Sequence, residues 1–470
     1  EALNDDNFAS AKFTHPLTPS AREGEQDKNS IKAPPLAGGV GEGYPYAKVF
    51  YYSTNDNGIL KRNDKFTLLN SIAQNGLNSV KWQELKLDEP YFWFVPKSFE
   101  NDEYENFWAL ATNKAMGESK AIFLNFGSGI STDRDELTID IQKENLIEKC
   151  QKAFSGKFDE NFETQYKIHN SSSYAFADKL KALEFDENAL YPINYHPFDK
   201  RFVYYKLGFT SRPSYETMQH FIKGENLGLC FPKNRLSPNS HYGLVVNTLA
   251  DRALGGAKTG SETYVAPLYI YRHDKEVGKV EPTPNFTPEF KEFIIKSKVL
   301  KDKSAEQILA FIYANLFNPA YRKKYLEYLK IGFPRVNFEV SESEFETFAK
   351  IGQRLIDLHL LKNIPNDESI DFEGKFDNKD DYIIQALSPT ERYEQNKLKL
   401  NKNIAIKGIT QDIYTYTIGG YEVIKQWLKY RKNYQASRKE LEHLVNVACI
   451  IKETIKIQNE LENLAKKDKK

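Results

Sequence analysis

The sequence predicts an α+β fold in which a mixed, β-rich middle segment precedes a mainly helical C-terminal part. Between residues 191 and 271, short runs of β-branched and aromatic residues alternate with turn-forming residues, which is typical of strands joined by loops. From about residue 291, apolar residues recur at helical spacing behind residues that cap helices. Hydrophobic residues make up 40% of the chain, enough for real cores.

We divide the 470 residues into four predicted regions. Residues 1–45 are polar or rich in Pro and Gly and cannot bury a face large enough to offset the entropy of ordering, so we predict a disordered low-complexity linker there. A connector at 46–185, a β-rich core at 186–290 and a helical region at 291–470 follow. The chain does not begin with Met, and we expect it to be part of a longer protein.

Local patterns predict the elements of the first half. The predicted strands, each a run of aromatic and β-branched residues, are 46–53, 92–95 and 121–126. The predicted helices are 62–72, 104–112, 144–154 and 176–183, and Asn63 or Asp64 is expected to cap the first. Turns rich in Gly, Asn and Asp are expected at 55–58 and 127–136.

In the second half, the apolar run 264–271 is predicted as a strand and the hydrophilic, Pro-containing stretch 275–288 as a linker. Capping boxes open helices at 304–307 and at 343–346. Asn318 and Pro319 are expected to supply the N-cap and first residue of a helix reaching about residue 330. Further predictions are a polar loop at 363–381, a strand at 413–418 and helices at 421–429 and 437–464.

Charge and cysteine content restrict the function. The formal net charge of +0 argues against a protein that coats nucleic acid non-specifically. Residues 196–272, however, carry ten Lys and Arg against five Asp and Glu, which indicates either a phosphate-facing surface or a solvated mixed-charge surface. The three cysteines lie far apart without a CxxC pair, which favours a reducing, cytoplasmic compartment. No membrane span or secretory signal is predicted.

Two short motifs are similar to the loops of enzymes that methylate a flipped base. Residues 126–129 (FGSG) follow a predicted strand, as a Gly-rich loop for S-adenosylmethionine does, but the expected helix and acidic residue do not follow. Residues 318–321 (NPAY) are similar to an NPPY loop but have Ala at the third position and lie between predicted helices, so helix capping accounts for them better. No P-loop, metal-ligating His pair or cofactor site is predicted in this chain.

The middle segment contains the residue types that read base edges and hold phosphates. The triplet 199–201 (DKR) is compatible with a catalytic acid beside cations, a salt-bridged strand edge or a phosphate clamp. Our candidates for contact with double-stranded DNA are Lys200, Arg201, Arg212, Lys233, Asn234, Arg235 and Asn239.

Several blocks, in order along the chain, resemble the Type ISP and related single-chain Type II (IIG/IIL-like) restriction–modification enzymes. Residues 194–205 resemble the family's Y-R-P-F-D-x-R-x-x-Y-Y signature, with His196 where that pattern has Arg. The further similar blocks are 129–135 (GISTDRD), 266–271 (APLYIY), 318–322 (NPAYR), 358–361 (LHLL) and 416–421 (YTIGGY).

The resemblance implies that this chain is the C-terminal portion of such an enzyme. Residues 46–185 would end a methyltransferase domain and connect it to a target recognition domain at 186–290, with 291–470 as helical support. The family's motor, nuclease and methyl-donor motifs lie upstream, so no catalytic residue is carried over. S-adenosylmethionine, Mg and ATP would belong to the parent protein, and the expected partners are double-stranded DNA and an upstream adenine-N6 methyltransferase domain.

Two alternatives stay open. The chain could be a diverged S-adenosylmethionine-dependent DNA methyltransferase that uses 126–129 and 318–321. It could instead be a protein–protein scaffold built on its helical C-terminal third.

Overall fold

The computed structural model describes residues 48–54, 57–59, 61–86, 94, 96, 102–112, 120–233, 243–256, 262–273 and 280–467. The chain divides into two units, Glu1–Phe99 and Glu100–Lys470. The predicted linker at 1–45 and most of the predicted strand at 92–95 lie outside the described residues. The α+β class is confirmed, whereas the four-region division stays a prediction.

The described elements are numbered in chain order. The strands are β1 (Val49–Tyr51), β2 (Gln83–Leu85), β3 (Trp108–Ala109), β4 (Gly127–Ser128), β5 (Ile139–Asp140), β6 (Leu190–His196), β7 (Asp199–Tyr204), β8 (Gly228–Pro232), β9 (Leu244–Val246), β10 (Leu249–Ala250), β11 (Thr263–Pro267), β12 (Tyr269–His273), β13 (Val280–Pro284), β14 (Arg335–Val336), β15 (Asp371–Glu373), β16 (Ile383–Ile384), β17 (Tyr393–Glu394), β18 (Lys397–Lys399), β19 (Ala405–Lys407), β20 (Thr417–Ile418), β21 (Tyr421–Glu422) and β22 (Tyr434–Gln435). The α-helices are α1 (Arg62–Asn75), α2 (Asp135–Thr138), α3 (Lys143–Phe154), α4 (Glu160–Tyr166), α5 (Phe176–Ala182), α6 (Tyr215–Ile222), α7 (Pro288–Lys296), α8 (Ala305–Phe317), α9 (Pro319–Lys324), α10 (Leu326–Leu329), α11 (Glu342–His359), α12 (Pro389–Arg392), α13 (Gln411–Tyr414), α14 (Val423–Lys429) and α15 (Arg438–Lys467). Short 3-10 helices occur at Leu77–Ser79, Asp102–Asn106, Glu187–Ala189 and Lys379–Tyr382.

The first unit contains the antiparallel pair β1–β2 and the predicted helix α1. The predicted cap at Asn63 or Asp64 is wrong, because α1 already begins after Lys61, whose side chain makes no capping hydrogen bond. Asp64 instead lies in the first turn of α1. A negative charge there stabilises the helix, because it interacts favourably with the positive end of the helix dipole.

In the second unit, the helices predicted at 144–154 and 176–183 are confirmed as α3 and α5. The helix predicted at 104–112 is wrong, because a short 3-10 helix gives way to β3, which pairs with the distant β14. The strand predicted at 121–126 is also wrong, since Ala121 and Phe123 make only isolated bridges. Pairing resumes at β4, inside the segment predicted to be a turn.

Two four-stranded sheets form the middle of the second unit, in the orders β10–β6–β7–β5 and β4–β11–β8–β9. Helices α3, α4 and α5 bury a hydrophobic cluster that includes Leu146, Cys150 and Phe176 together with Tyr204 of β7. The strand predicted at 264–271 is two strands in different sheets, β11 and β12. Pro267 ends the first of them, since proline has no N–H with which to continue a ladder.

The linker predicted at 275–288 is wrong over its described part, because β13 pairs with β12 and α7 begins at Pro288. Pro282 and Pro284 fit this strand because a two-stranded sheet has only edge strands, where prolines are tolerated. The side chain of Thr287 caps α7 by accepting from the N–H of Phe290.

The C-terminal part follows its local helix signals closely. The capping box of Ser304 and Gln307 and the N-cap of Asn318 with Pro319 are confirmed, although the helix after Pro319 is divided into α9 and α10. The second predicted box is displaced, because Ser341 and not Ser343 caps α11. The side chain of Ser341 accepts a hydrogen bond from the N–H of Glu344.

The C-terminal part also contains more β-structure than predicted. A four-stranded sheet, β15–β19–β18–β17, includes a piece of the expected polar loop at 363–381. The strand predicted at 413–418 is the short helix α13 followed by β20, and the predicted final helix is confirmed as α15. These strands are only two or three residues long, too short to show the alternation of apolar and polar residues by which a strand is predicted.

Helices α8 and α11 approach so closely that only glycine fits at one position. A Cβ atom added at Gly352 of α11 would lie 1.8 Å from the carbonyl oxygen of Ala310 in α8. A second close approach joins 255–256 to 419–420, where the N–H of Gly420 donates to the carbonyl of Gly255 at 2.8 Å. Gly419 there has φ of 59°, and its Cβ would lie 1.9 Å from the Gly255 oxygen.

A buried chain of hydrogen bonds connects β9 with α8, α11 and α15. The N–H of Val245 donates to the Tyr313 hydroxyl at 3.3 Å, and that hydroxyl lies 2.5 Å from Nδ1 of His359. Nε2 of His359 lies 3.0 Å from the Thr454 hydroxyl, which donates to the carbonyl of Ile450. Each donor meets an acceptor only if His359 is neutral and carries its proton on Nε2.

Replacement of Gly352 by Ala should destabilise the protein. The added methyl must push α8 and α11 apart, and we expect a loss of about 1–3 kcal/mol in the free energy of unfolding. Urea denaturation followed by circular dichroism measures it. Lys350→Ala, at an exposed position of the same helix, is the control and should change stability by less than about 0.5 kcal/mol. Equal stability of the two variants would contradict the close packing.

The protein should lose stability in mild acid. Burial lowers the pKa of His196 to about 4 and that of His359 to about 3. In the unfolded chain these groups titrate near pH 6.5, so their stabilisation is complete above pH 6.5 and is lost as the pH falls toward the lower values. We expect the free energy of unfolding to fall by about 2–4 kcal/mol between pH 7 and pH 5.

Urea denaturation at the two pH values measures this loss. His359→Gln should show a smaller loss between pH 7 and pH 5 than the unchanged protein. His169→Gln, at an exposed position, should show the full loss. A pH dependence that His359→Gln leaves unchanged would be evidence against a buried neutral imidazole.

Candidate nucleic-acid interface

Five extended segments lie side by side and form what we call the strand array: β7, β6, residues 249–252, residues 130–131 and residue 212. Strand β6 pairs with β7 on one side and with β10 on the other. Beyond β10, Ile130 bridges Asp251 and Ser131 bridges Arg212. Backbone hydrogen bonds of 2.8 Å from Ile130 to Ala250 and 2.9 Å from Arg212 to Ser131 hold these outer segments in place.

The array places three of the sequence candidates on its two outermost segments. Lys200 and Arg201 lie on β7, whose other side pairs with β5 at residues 202–203, and Arg212 lies on the opposite outermost segment. Four strand spacings separate the borders, which corresponds to roughly 19 Å. Residues that are close in sequence are therefore spread across a surface by the pairing order.

Lys233 follows β8 in the second sheet, at the end where β11 begins. Pro232 is opposite Thr263 there, and the N–H of Thr263 donates to the carbonyl of Arg252 at 3.2 Å. The first residue of β11 thus lies beside Arg252 of the array. The ammonium group of Lys233 lies 6.0 Å from the centre of the Phe333 ring. Asn234, Arg235 and Asn239 lie outside the described residues.

The carboxylate of Asp199 is buried at the start of β7 between two arginines. Its Oδ2 accepts from Arg201 at 2.8 Å, and its Oδ1 accepts from Arg431 at 2.8 Å. Burial alone would raise the pKa of Asp199, but the charges of Arg431 and Arg201 outweigh burial and hold that pKa below its usual value. The sequence left three interpretations of the triplet 199–201. The observed geometry agrees with a salt-bridged strand edge.

Aromatic rings hold the Arg201 guanidinium from two sides. Its central carbon lies 4.1 Å from the centre of the Tyr195 ring and 4.7 Å from that of Tyr430. Only 11% of the Arg201 side chain is exposed, whereas Tyr430 is 40% exposed. Arg201 is therefore fixed beneath the surface, and the ring that covers it is accessible.

His196 is buried beside these rings, where it stacks on Tyr430 at 5.0 Å and lies 4.7 Å from the Tyr421 ring. Neither of its ring nitrogens has a hydrogen-bond partner among the described residues. Burial lowers its pKa to about 4, so the imidazole is neutral near pH 7. It supports the aromatic packing and adds no charge.

Near the opposite side of the array, two aspartates and Arg212 determine the local charge. Burial and the charge of nearby Asp135 raise the pKa of Asp251 well above its usual value. Asp133 accepts hydrogen bonds from Ser131 and Ser211 and lies 3.8 Å from Arg212. The Arg212 side chain is nevertheless 52% exposed, so much of this guanidinium faces outward.

Lys200 is exposed beside Arg201 on β7. Its ammonium group donates to Oδ1 of Asn247 at 2.9 Å. No carboxylate of the described residues forms an ion pair with it.

Two residues of this site come from the C-terminal part and were not among the sequence candidates. Tyr430 and Arg431 form the turn after α14, and the Arg431 guanidinium also lies 4.0 Å from the Trp427 ring. A basic, aromatic turn after a helix is a common surface pattern. Its partnership with Asp199 depends on a contact between residues far apart in sequence.

The two motifs that are similar to methyltransferase loops have structural roles here. Residues 127–128 form β4, which pairs with β11. The side chain of Asn318 caps α9 by accepting from the N–H of Ala320 at 2.9 Å. Within the part of the chain that the structure describes, no group of three or more His, Cys, Asp or Glu residues is arranged to hold a metal ion. No helix in that part is long and apolar enough to cross a membrane.

Comparison with known proteins adds a family to this geometry. A family model, the Type ISP C-terminal specificity domain, matches residues 121–460. No curated protein sequence matches the chain.

Three solved structures share the fold. The ATP-dependent Type ISP restriction–modification enzyme LlaBIII bound to DNA gives a TM-score of 0.67 at 21% identity, over 86% of this chain and 27% of that one. A nuclease-deletion mutant of the Type ISP enzyme LlaGI in complex with a DNA substrate mimic gives 0.64 at 20%, over 86% and 32%. The DrdV–DNA complex, determined by cryo-electron microscopy, gives 0.63 at 18%, over 84% and 42%. This chain therefore spans less than half the length of each.

Asp199→Asn should destabilise the second unit strongly. The change removes the charge that two buried guanidinium groups share, and we expect a loss of about 3–5 kcal/mol in the free energy of unfolding. Urea denaturation at pH 7 measures it. Glu292→Gln, which breaks an exposed ion pair with Lys296, is the control and should leave the free energy of unfolding nearly unchanged. A similar small loss for both variants would show that the buried carboxylate is dispensable.

Proposed function

The chain belongs to the Type ISP C-terminal specificity domain family, and from this membership we propose that it recognises a specific sequence in double-stranded DNA for a restriction–modification enzyme. The observation that carries the proposal is the family match over 121–460. The matched range includes the strand array, where Lys200 and Arg212 are exposed, and the end of β8, where Lys233 is partly exposed.

Three of the described candidates have the chemistry that DNA recognition requires. Arg212 presents a partly free guanidinium, and Lys200 and Lys233 present ammonium groups, all held by strands or strand ends. Arginine and lysine bind guanine edges or phosphates, and asparagine binds adenine edges. Asn234, Arg235 and Asn239 follow β8 directly in the sequence, and we keep them as candidates for base contacts.

This recognition would serve a catalytic reaction, and we assign that reaction to another part of a longer protein. The three similar enzymes are more than twice as long as the part that this chain covers. An upstream adenine-N6 methyltransferase domain would flip its target base out of the duplex while this chain holds the flanking sequence in register. S-adenosylmethionine, Mg and ATP would bind upstream, and the cytoplasm is the compartment in which the enzyme would meet DNA.

Selection from a randomised duplex pool tests the proposal. The 470-residue chain should enrich one short sequence, and fluorescence anisotropy should then give tighter binding to that duplex than to a scrambled one. Retention of the pool without enrichment would contradict sequence recognition. Binding of S-adenosylmethionine to this chain in calorimetry would favour the methyltransferase alternative instead.

Arg235→Ala should weaken binding to the selected duplex by about 1–3 kcal/mol, because one good bidentate base contact contributes that much discrimination. Binding to the scrambled duplex should change little. Lys298→Ala, at an exposed position outside the array, is the control and should affect neither duplex. An equal loss on both duplexes would assign Arg235 to phosphate and not to a base.

A further inference from the structure

The register of the strand array sets Arg212 and Arg252 on the same face. Ile130 and Asp251 are bridge partners, and bridge partners direct their side chains to one face of a sheet. The residues that follow them, Ser131 and Arg252, therefore share the opposite face, because successive strand residues alternate. Ser131 is in turn the bridge partner of Arg212. Two strand spacings, or roughly 10 Å, thus separate the backbones of the two arginines, which we call the arginine pair.

The face that carries Asp251 is buried and holds a different arginine. Leu249, two residues before Asp251, pairs with Ile193, and Ile193 pairs with Arg201. Arg201 therefore belongs to the buried face, which agrees with its covered side chain. The side chains of the arginine pair, on the other face, are 52% and 33% exposed.

Each member of the arginine pair has one carboxylate partner at the surface. Nη1 of Arg212 lies 3.8 Å from Asp133, and Arg252 forms an ion pair with Glu262. The two carboxylate side chains are themselves 30% and 41% exposed. The four charges balance, so this group does not attract phosphate through an excess of positive charge.

The ion pairs leave guanidinium donors for a further partner. Arg252 donates to Glu262 through one terminal nitrogen, whereas a guanidinium has five N–H donors in a planar fork. Arg201 differs, because it donates to Asp199 through two nitrogens and lies under two rings. The fork of Arg252 is therefore able to bind a second group with two acceptors, such as O6 and N7 of guanine.

The backbone that carries Arg252 is held on both sides. Its N–H donates to the carbonyl of Ile130 at 2.8 Å, and its carbonyl accepts from the N–H of Thr263 at 3.2 Å. Gly129 packs so closely here that an added Cβ atom would lie 2.5 Å from the carbonyl carbon of Asp251. A side chain on a backbone so constrained suits base readout, which requires groups held within about 0.5 Å of the productive geometry.

We propose that Arg252 reads a base, and that it contacts guanine beside Arg212 in one major groove of duplex DNA. This rests on the proposed function and adds to it a specificity-determining residue that was not among the sequence candidates. The backbone separation of roughly 10 Å is compatible with a single major groove, which is about 12 Å wide.

Glu262 makes the contact selective in this proposal. Its carboxylate holds the guanidinium of Arg252 and repels the negative charge of a phosphate, whereas the edge of a base is uncharged. A wrong sequence would then lose the guanine contact without gaining a backbone contact in its place.

Arg252→Gln tests the base contact, with affinities for the selected and scrambled duplexes measured by fluorescence anisotropy. Affinity for the selected duplex should fall by about 5- to 150-fold, the discrimination that one bidentate contact supplies. Affinity for the scrambled duplex should stay nearly the same. An equal loss on both duplexes, with the slope of log K against log salt concentration reduced by about 0.9, would assign Arg252 to phosphate. That result, or no loss on either duplex, would overturn the proposal.

Glu262→Gln tests the selective role, and its expected result is a gain that loss of a structural ion pair would not produce. Affinity for the scrambled duplex should rise by about two- to fivefold, the range of one exposed charge interaction. The ratio of selected to scrambled affinity should fall accordingly. Unchanged or weaker binding to the scrambled duplex would show that the carboxylate does not exclude phosphate.

The matched control is another exposed pair, Arg354 with Glu460, whose charged atoms lie 2.9 Å apart. Arg354→Gln and Glu460→Gln should change neither affinity, and thermal denaturation should show all four variants folded. Sequence selection by the unchanged protein is measured separately, so a failure of this proposal is distinguishable from a failure of the proposed function.

A modified duplex tests the contact without changing the protein. Replacement of single guanines of the selected duplex by 7-deazaguanine removes the N7 acceptor from the major groove. One such replacement should weaken binding by the unchanged protein and have no further effect on Arg252→Gln, in which the contact is already lost. If every replacement weakens both proteins by the same factor, Arg252 does not read guanine and the proposal is wrong.

Discussion

A single buried carboxylate, that of Asp199, joins the β-rich middle of the second unit to its C-terminal part. Arg201 reaches it from the same strand, and Arg431 reaches it from the turn after α14. A charge held out of water is tolerated only with its partners in place, so this contact permits very little relative displacement of the strand hairpin and the turn. The constraint fixes Arg201, whose guanidinium is covered by the Tyr195 and Tyr430 rings.

Two other contacts restrict the same pair of substructures. The backbone of 419–420 lies directly against that of 255–256, at a distance that no side chain larger than hydrogen allows. The hydrogen-bond chain through Tyr313, His359 and Thr454 connects β9 with three helices and requires a neutral imidazole. Because an ion pair, a backbone contact and a polar network all cross one boundary, the C-terminal part is a component of the array's scaffold and not a separate appendage. Rigid support of this kind is what a recognition surface needs to hold contacts within a few tenths of an ångström.

The arrangement gives the arginines of this region two different roles. Arg201 and Arg431 are inside, where a planar fork and ring stacking favour them, whereas much of the Arg212 side chain is exposed. The sequence connecting β8 to β9 supplies the amide and guanidinium groups suited to base edges. In the proposed function, DNA contacts therefore come from exposed groups, and the buried cluster holds the scaffold that presents them.

Local sequence determined the features whose causes are local. The capping box of Ser304 and Gln307, the proline that starts α9 and the long final helix all depend on residues within a few positions of one another, and each is where the pattern indicates. The resemblance to the family was also evident from the sequence, because the family's motifs occur along the chain in the same order. Tertiary structure alone decided the division of 264–271 between two sheets, the strand β13 in place of a linker, and the partnership of Asp199 with Arg431. These features depend on which distant segments supply hydrogen-bond partners and opposite charges. The periodicity of apolar residues along the chain does not indicate that pairing.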